Sequence, residues 1–475
     1  MKELYKYSLV IMITVVLVGC NDNGTEPVNI PPSVEGLNVH QGFQVSYYTR
    51  DIGSPRFMGI APDGDICVAI PGADHIVKLV DSTGNGKADK HIIIAEGLRN
   101  VNSLDFHDGL LYAAGITTVW RLSDTDSDGT YEDKESIIDD LPSGGHWTRT
   151  VVVGPDEKLY VSVGSSCNIC EESDARRAAV VRYNLDGSGE EVYASGLRNA
   201  VGIGFRPNTS ELWGTVNGRD HLHDDLPPEE IIRIREAGFH GWPYAYGQRV
   251  TDPAFDNYTA AASSIPPDIE LQAHAAPLGM AFYTGDKFPS GYHGDLFVAQ
   301  HGSWNRSVPV APKIVRVSVN AAGQPSAQDF ITGWQYSNGD RWGRPVDVIT
   351  GPDGDLFVAD DVNECIYRIT YYGGSGERYT DGFFCEAPSP RVTTDTTSAS
   401  YTLPVESDVE LRVYDHEGSI IRTILDTHQV AGSHTKSWDG RNMDGLPVDP
   451  GEYVLQIRVT AGDQFFQRTY PVEIE

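Results

Sequence analysis

His146 and several arginines are the residues whose types and placement suggest chemistry in this chain. His146 lies in the segment SGGHW, residues 143–147. The two glycines before it allow close backbone approach, and a histidine of ordinary pKa can act as a base near neutral pH. A lone histidine is more often a hydrogen-bonded structural residue. The segment therefore predicts a candidate base and leaves the structural role open.

Arg198, Arg341 and Arg344 each precede a strand-like run, which places them at one end of the fold predicted below. Guanidinium groups bind carboxylates and phosphates through two parallel hydrogen bonds. Salt bridges between neighbouring repeats are the alternative role, because the chain has surplus acidic residues to supply them. The arginines thus indicate either an anionic ligand or structural pairing.

One acidic segment has the spacing of a twelve-residue calcium loop. The flanking residues favour strands, so the expected ion is a structural one between outer strands, and a solvated acidic turn is the alternative. Gly129 occupies the turn position of the loop. The predicted oxygen ligands are Asp124, Asp126, Asp128, Thr130 and Glu135.

Composition limits the fold and the partners. The 36 Lys and Arg residues against 67 Asp and Glu residues give a net charge of −31, which repels nucleic-acid phosphates and anionic membrane surfaces. No nucleic-acid partner is expected. The 49 Gly and 28 Pro residues indicate many tight turns, as in an all-β protein.

Six segments share the pattern of an apolar strand, a turn and a second apolar strand, followed by a third strand. The pattern predicts a six-bladed β-propeller, closed when Phe43–Arg50 adds the outer strand of the last blade; an open solenoid is the alternative. Residues before each first strand and loops after each second strand then share one mouth of the channel. The segments begin at Phe57, Asn102, Thr150, Val201, Leu278 and Val346.

The N-terminus has the pattern of a bacterial lipoprotein leader. Lys2 and Lys6 precede an apolar run that ends in the sequence LVGC at Cys20. We expect a signal peptide at residues 1–20, lipid on Cys20 and a linker at 21–39, which would anchor an exported protein at the cell envelope. An ordinary leader or a buried strand with a chance cysteine is the alternative.

The remaining cysteines include one closely spaced pair. Cys167 and Cys170 lack the further ligands that a zinc site needs, so a local disulfide is expected, with a redox role as the alternative. Cys67 is expected to be buried and free. Cys365 and Cys385 are candidates for a second disulfide between the linker and the large domain.

A second, smaller domain is predicted at the C-terminus. Residues 372–399 have the composition of a linker, and residues 400–475 alternate in the manner of a β-sandwich. The segment SWDGRNMDGLPVDPGEYVLQI resembles FlgD-like immunoglobulin modules of exported bacterial proteins. We expect this domain to serve attachment, spacing or sorting.

Residues 40–371 resemble the pyrroloquinoline quinone (PQQ) dependent sugar dehydrogenases, the family of soluble glucose dehydrogenase, and especially its sorbosone and pyranose dehydrogenase branch. The resemblance is carried by GHWTRTVVVGPDEKLYVSVGSSCNIC, GLRNAVGIGF, LWGTVNGRDHLHDDLPPE, FVAQHGSWNR and RWGRPVDVITGPDGDLFVADD. It implies the six-bladed propeller already predicted from the repeats.

The resemblance also implies roles for site residues. His146 matches the histidine that takes a proton from the sugar hydroxyl while hydride passes to the quinone. Val201 stands where soluble glucose dehydrogenase has glutamine, and no residue matches that enzyme's cofactor-contacting lysine, for which His301 and Arg306 are candidate replacements. The implied cofactor contacts are Arg198, Asn199, Arg341 and Arg344, and the implied catalytic calcium loop is Gly218, Arg219 and Asp220.

The resulting hypothesis is a PQQ- and calcium-dependent dehydrogenase of an aldose or aldehyde sugar. Electrons would leave to an external cytochrome or quinone, because the chain has no haem attachment motif. A noncatalytic propeller that binds a sugar or a partner is the alternative, and a calcium-dependent lactonase fits the arginines poorly. The sequence leaves the sugar open.

Overall fold

A computed structural model describes residues 33–319, 325–373, 384–394, 396–462 and 464–475. The predicted leader with Cys20 lies outside these residues, as does most of the 21–39 linker. Within the described residues, no helix combines the length and apolar character needed to cross a bilayer.

The first three repeats each form an antiparallel sheet in which consecutive strands are neighbours. Two strands precede them, the two-residue β1 (Asn38–Val39) and the eight-residue β2 (Phe43–Arg50). The strands of these repeats are β3 (Met58–Ile60), β4 (Ile66–Ile70), β5 (His75–Val80), β6 (Lys90–Glu96), β7 (Ser103–His107), β8 (Leu110–Ala114), β9 (Val119–Ser123), β10 (Asp133–Ile138), β11 (Val151–Val153), β12 (Lys158–Val163), β13 (Ala179–Asn184) and β14 (Glu191–Ser195).

The next three repeats continue the pattern, and the fourth carries an insert between its third and outer strands. The insert contains β18 (Gly238–Phe239), β19 (Ala245–Tyr246), β20 (Val250–Thr251) and the helix α1 (Tyr258–Ser263). The other strands are β15 (Ala200–Phe205), β16 (Leu212–Val216), β17 (Glu229–Ile234), β21 (Ile269–Leu271), β22 (Pro277–Phe282), β23 (Leu296–Gln300), β24 (Lys313–Val319), β25 (Pro325–Thr332), β26 (Pro345–Thr350), β27 (Leu356–Asp360) and β28 (Cys365–Tyr371).

The repeats close into a ring. Each first strand contacts the first strand of the next repeat in the order β3, β7, β11, β15, β22 and β26, and β26 contacts β3 again. The outer strand of the last sheet is β2, which pairs antiparallel with β28 from Phe43 opposite Tyr371 to Arg50 opposite Cys365. The predicted closure by Phe43–Arg50 is confirmed, and a ring leaves no terminal repeat to cap.

The prediction of an all-β propeller followed by a β-rich C-terminal region is confirmed, but the blade count differs from the expected six. In the described residues, five blades are separate sheets. The fifth repeat, β22 to β25, is not a separate sheet, because its outer strand pairs with a C-terminal strand and becomes part of a ten-stranded sheet.

Polar side chains join neighbouring blades near their inner strands. The Thr150 hydroxyl donates to Val201 O at 2.5 Å, and the Thr215 hydroxyl donates to Leu278 O at 2.5 Å. Between these bonds, the apolar residues of adjacent sheets pack into separate buried clusters. These bonds and clusters connect the blades whose inner strands end near the candidate residues.

The C-terminal strands form two layers. Their bounds are β29 (Phe384–Cys385), β30 (Val392–Thr393), β31 (Thr397–Leu403), β32 (Ser407–Tyr414), β33 (Ile420–Gln429), β34 (Gly432–Trp438), β35 (Gly451–Ala461) and β36 (Gln464–Ile474). One sheet contains β29, β31 and β34, and the ten-stranded sheet contains β32, β33, β35 and β36.

The described cysteines comprise one disulfide-bonded pair and three free thiols. Cys167 and Cys170 form a disulfide. Cys67, Cys365 and Cys385 are free and buried. The suggested second disulfide was wrong, because Cys365 packs in the cluster between the fifth and last repeats while Cys385 packs in the core of the C-terminal sandwich.

Asp347 joins the last blade to the first and should make stability depend on pH. Its Oδ2 accepts the Met58 N–H at 2.8 Å, and burial raises the pKa of its carboxyl from 3.8 to about 8. Because the folded pKa exceeds the unfolded one, the free energy of unfolding falls as pH rises between these values. Asp347→Asn should reduce the difference in Tm between about pH 5.5 and about pH 8.5.

The matched control is Asp108→Asn at an exposed hairpin turn, which should keep the wild-type pH dependence. Equal slopes for Asp347→Asn and wild type would contradict the assignment.

Candidate functional site

A cavity of about 260 Å³ lies at the mouth of the channel. Its walls come from the two classes of loop that the repeat pattern placed together, those before the inner strands and those after the second strands. The predicted site residues in these walls are His146, Arg198, Asn199, Gly218, Asp220, His301 and Arg344.

Glycines place His146 against the neighbouring loop. Gly145 has φ +65°, and a Cβ there would lie 2.4 Å from Ser165 O. Across the loop, a Cβ on Gly164 would lie 2.6 Å from the His146 Cβ. The His146 N–H donates to Ser165 O at 3.0 Å, so the histidine backbone is held by a contact that only glycine neighbours permit.

The imidazole of His146 has a defined tautomer. Its Nδ1 lies 3.1 Å from Ser165 O and 3.0 Å from Ser165 Oγ, whose hydroxyl donates to Cys167 O at 2.7 Å. Both Ser165 oxygens therefore accept, so Nδ1 carries the proton and Nε2 has the free lone pair. Burial and the positive charge of Arg198 lower the pKa of His146 to about 4. The ring is therefore neutral near pH 7 and has one basic nitrogen, which is the state that a general base requires.

Arg198 is buried and connects two loops. Its Nε donates to Asn168 O and its Nη2 to Asn168 Oδ1, both at 2.9 Å. Its Nη2 also lies 3.2 Å from Asp220 Oδ2, and its Nη1 donates to Asn217 O at 3.3 Å. Most of its N–H groups are thus occupied by protein, so Arg198 organises the wall of the cavity as well as lining it.

Asn168 completes this junction and was missed by sequence reasoning. Its Oδ1 also accepts the Asp220 N–H at 2.8 Å, while its Nδ2 donates to Asp220 O at 3.0 Å. It lies between the cysteines of the Cys167–Cys170 disulfide, which closes the loop around it. The paired cysteines were the available signal, since they mark a loop held in one shape.

Asp361 links the residues on the opposite wall. Its two oxygens lie 2.9 Å from His301 Nε2 and 3.1 Å from Arg56 Nη1. Burial lowers the pKa of His301 to about 4, so the neutral ring donates to an ionised carboxylate. Arg56 also lies over the Trp147 ring, 5.5 Å from its centroid.

Four arginines around the mouth have no carboxylate at salt-bridge distance among the described residues: Arg149, Arg177, Arg341 and Arg344. Arg344, for example, donates to His301 O at 2.8 Å and Gly302 O at 3.1 Å. Backbone carbonyls satisfy hydrogen-bond donors but leave the net charge in place. Asp220, Glu229 and Asp361 lie in or beside the same cavity, so these arginines add positive charge to a mouth that also carries carboxylates.

Glu229 is a buried carboxylate beneath the predicted calcium loop. Its oxygens accept the Gly218 N–H at 2.7 Å and the Ala276 N–H at 3.1 Å, and burial raises its pKa to about 7. Together with Asp220 it adds carboxylate oxygens to the backbone carbonyls of the loop. Sequence reasoning missed Glu229 because it reads as part of strand β17.

Three predicted site residues lie outside the cavity wall. Arg219 pairs with Asp252 at 2.8 Å. Arg306 pairs with Asp225 at 3.1 Å, and Arg341 donates to Val310 O at 3.4 Å and to Ser303 O. Their side chains fix loops around the cavity.

The acidic loop at 124–135 brings three of its predicted ligands together. The carboxylates of Asp124, Asp126 and Asp128 each place an oxygen within 4.8 Å of the others. The Thr130 N–H donates to Asp128 Oδ1 at 2.8 Å, and Glu135 pairs with Arg121 at 2.5 Å on the neighbouring strand. A calcium ion at this loop stays a prediction.

Residues 33–371 match the family described as a domain of unknown function, DUF7133. The chain belongs to the DUF7133 family. Residues 389–463 match the FlgD Ig-like domain, which supports the predicted module after the DUF7133 domain.

Several proteins resemble the DUF7133 domain. An uncharacterised protein of Borreliella burgdorferi is 33% identical over 352 residues, 70% of this chain and 91% of that protein. The PQQ-dependent pyranose dehydrogenase of Coprinopsis cinerea is 24% identical over 407 residues, and the alignment covers 71% of this chain but only 55% of that enzyme.

Solved structures show the same fold. The holo form of the PQQ domain of the Coprinopsis cinerea pyranose dehydrogenase matches with a TM-score of 0.62 at 22% identity, covering 71% of this chain and 98% of that one. A calcium structure of a Trichoderma reesei enzyme of carbohydrate-active family AA12 matches with a TM-score of 0.62 at 20% identity, covering 72% and 99%. The resemblance to PQQ-dependent sugar dehydrogenases is confirmed.

Asn168→Ala should destabilise the junction around Arg198. It removes the amide group that bonds both Arg198 and Asp220, and leaves a buried guanidinium N–H without its partner. The expected loss in the free energy of unfolding is about 1–3 kcal/mol, with faster amide exchange at Asp220, measured by denaturant titration and by hydrogen exchange.

Asn338→Ala is the control, because Asn338 is an exposed turn residue whose amide, among the described residues, bonds only Asp340 in its own turn. An equal, small effect of both substitutions would show that Asn168 does not hold the junction.

Proposed function

We propose that this chain is a PQQ- and calcium-dependent dehydrogenase that oxidises an aldose or aldehyde sugar and passes the electrons to an external acceptor. The observation that carries the proposal is the neutral, orientated His146 in the wall of an arginine-lined cavity. The kinship with PQQ-dependent sugar and pyranose dehydrogenases supports the same reaction class.

The polar groups of the cavity fit a cofactor that, like PQQ, is anionic and forms several hydrogen bonds. Asn305 lines the cavity, and both polar atoms of its side chain are buried without a hydrogen-bond partner among the described residues. Unpaired buried amides are costly, so a bound polar molecule would stabilise this one. Arg344, Asn199 and Asn305 are the residues that would hold the cofactor, whose quinone would accept the hydride of the sugar.

The loop at Gly218 fits a calcium ion by the chemistry of its donors. Calcium prefers oxygen ligands, and the loop has the carboxylates of Asp220 and Glu229 close to the backbone carbonyls of Asn217 and Asp220, which also accept hydrogen bonds from Arg198 and Asn168. Such an ion would polarise a cofactor carbonyl as a Lewis acid.

His146 would remove the proton from the sugar hydroxyl through Nε2. The Nδ1–H bond to Ser165 O holds the ring in place during transfer and stabilises the imidazolium that forms. Trp147 and Trp304, which line the same cavity, supply apolar surface for a sugar ring.

We propose a lipid anchor on Cys20, which would hold the enzyme at the cell envelope where a cytochrome or quinone could collect the electrons. The leader-like sequence ending LVGC supports this placement.

Reconstitution tests the proposed activity. The purified chain, incubated with PQQ and calcium, should reduce a redox dye when aldoses or aldehyde sugars are added, and omission of either cofactor should remove the activity. Arg344→Met should weaken PQQ binding, measured by quenching of tryptophan fluorescence, because it removes a cation that has no carboxylate at salt-bridge distance in the described part of the chain. A chain that binds no PQQ would refute the proposal.

The pH profile tests the role of His146. Because burial and Arg198 lower its pKa to about 4, the base is unprotonated above that pH. The acid limb of kcat/KM should therefore lie near pH 4, with a plateau through neutral pH.

His146→Ala should lower kcat by roughly a hundredfold or more while PQQ still binds.

The control for the histidine is His107→Ala, since His107 pairs with Glu157 at the hairpin turns of the opposite face. Its kcat should equal that of wild type. Sugar binding without turnover in the wild-type protein would favour the noncatalytic alternative.

A further inference from the structure

Residues 217–228, called here the site loop, face two directions. Asn217, Gly218 and Asp220 line the candidate cavity. The residues that follow leave the propeller surface and contact the C-terminal module, residues 384–475. One short segment thus joins the predicted calcium site to a domain that the sequence assigned to attachment.

Asp225 is the main ionic contact between the site loop and the module. Its Oδ1 lies 3.1 Å from Arg306 Nη2 of the propeller and 3.2 Å from Arg458 Nη2 of the module. Arg412 of the module lies 3.5 Å from its other oxygen. Burial opposes ionisation, yet Arg458 and Arg306 keep the pKa of Asp225 below its ordinary value, so the carboxylate is charged and held from both sides.

The module also holds the backbone and apolar side chains of the site loop. Gln456 Nε2 donates to Asp225 O at 3.1 Å. Leu226 is fully buried in a cluster with Tyr414 and Val454 of the module. The Tyr414 ring also packs against His223, with centroids 5.4 Å apart. These hydrogen-bond and apolar contacts hold the site loop against the module in addition to the ion pair at Asp225.

A second connection reaches the loop through the insert of the fourth repeat. Glu452 of the module accepts the Thr251 N–H at 3.0 Å. The next residue, Asp252, pairs with Arg219 of the site loop at 2.8 Å. Module contacts therefore act on both sides of Asp220, directly at Asp225 and through the insert at Arg219.

We propose that the C-terminal module is a working part of the candidate site, with Arg458 and Gln456 as positioning residues that hold the site loop in its metal-binding shape. The inference rests on the proposed function for the identity of the ligand. It assigns the module a role in cofactor binding in place of simple attachment or spacing.

The same interface offers a matched comparison away from the loop. Arg468 of the module donates to Asp268 O at 2.6 Å beside strand β21. Arg458→Met and Arg468→Met are the same substitution in the same interface. They differ in the lost partner, which is the Asp225 carboxylate of the site loop for Arg458 and the Asp268 backbone carbonyl, outside that loop, for Arg468.

The first measurement is hydrogen exchange of the full chain without cofactors. Arg458→Met, and separately Gln456→Met, should speed exchange in residues 219–226 by roughly tenfold, because each removes a bond that holds the loop closed. Arg468→Met should leave that segment unchanged. Unchanged exchange in both loop variants, or an equal rise in Arg468→Met, would overturn the inference.

The second measurement is calcium titration in the presence of PQQ, followed by tryptophan fluorescence. Arg458→Met should raise the apparent Kd for calcium by roughly tenfold and Arg468→Met should not, at matched Tm. An unchanged Kd in Arg458→Met would also overturn the inference. Failure of the unaltered chain to bind PQQ or calcium would instead overturn the proposed function, and the exchange comparison would still decide whether the module holds the loop.

Discussion

A guanidinium group taken out of water must find partners for its N–H groups, because an unpaired buried charge costs several kcal/mol. Arg198 is 4% exposed, and its partners come from two separate loops. Asn168 belongs to the disulfide loop, and Asn217 and Asp220 belong to the site loop. Satisfying this one charge therefore fixes the relative positions of the two walls of the cavity. Burial, with a smaller contribution from the same charge, lowers the pKa of the nearby His146 and keeps its ring neutral.

The charge distribution separates the mouth from the rest of the molecule. With a net charge of −31, most cations on this protein can find a carboxylate, and many do. Arg344 and its neighbours at the mouth bond to carbonyls instead, so their positive charge is available to a ligand. The acidic surroundings repel anions at long range, so binding of an anionic ligand depends on these short-range positive charges.

The strand and turn pattern of the repeats was sufficient to predict the ring, because the strands and turns of each repeat lie within a few dozen residues of one another. It also placed His146, Arg198 and Arg344 at one mouth. The periodicity did not predict the partners of these residues. Asn168 contacts Asp220, which lies 52 positions later in the chain, and a local sequence pattern does not predict a contact at that separation. Arg306 and Arg341 lie outside the cavity wall and bond to neighbouring loops, so their part in ligand binding stays a prediction.

The altered blade count and the placement of the module have one physical origin. An outer propeller strand has an open edge of unpaired N–H and C=O groups, and β25 satisfies part of that edge by pairing with β36. This pairing fixes the sandwich against the fourth and fifth repeats, since β36 also contacts β21. Strand β35 lies beside β36 in the same sheet, so the pairing brings Gln456 and Arg458 within bonding distance of Asp225. Sheet continuity thus converts a C-terminal addition into a support for the wall of the cavity.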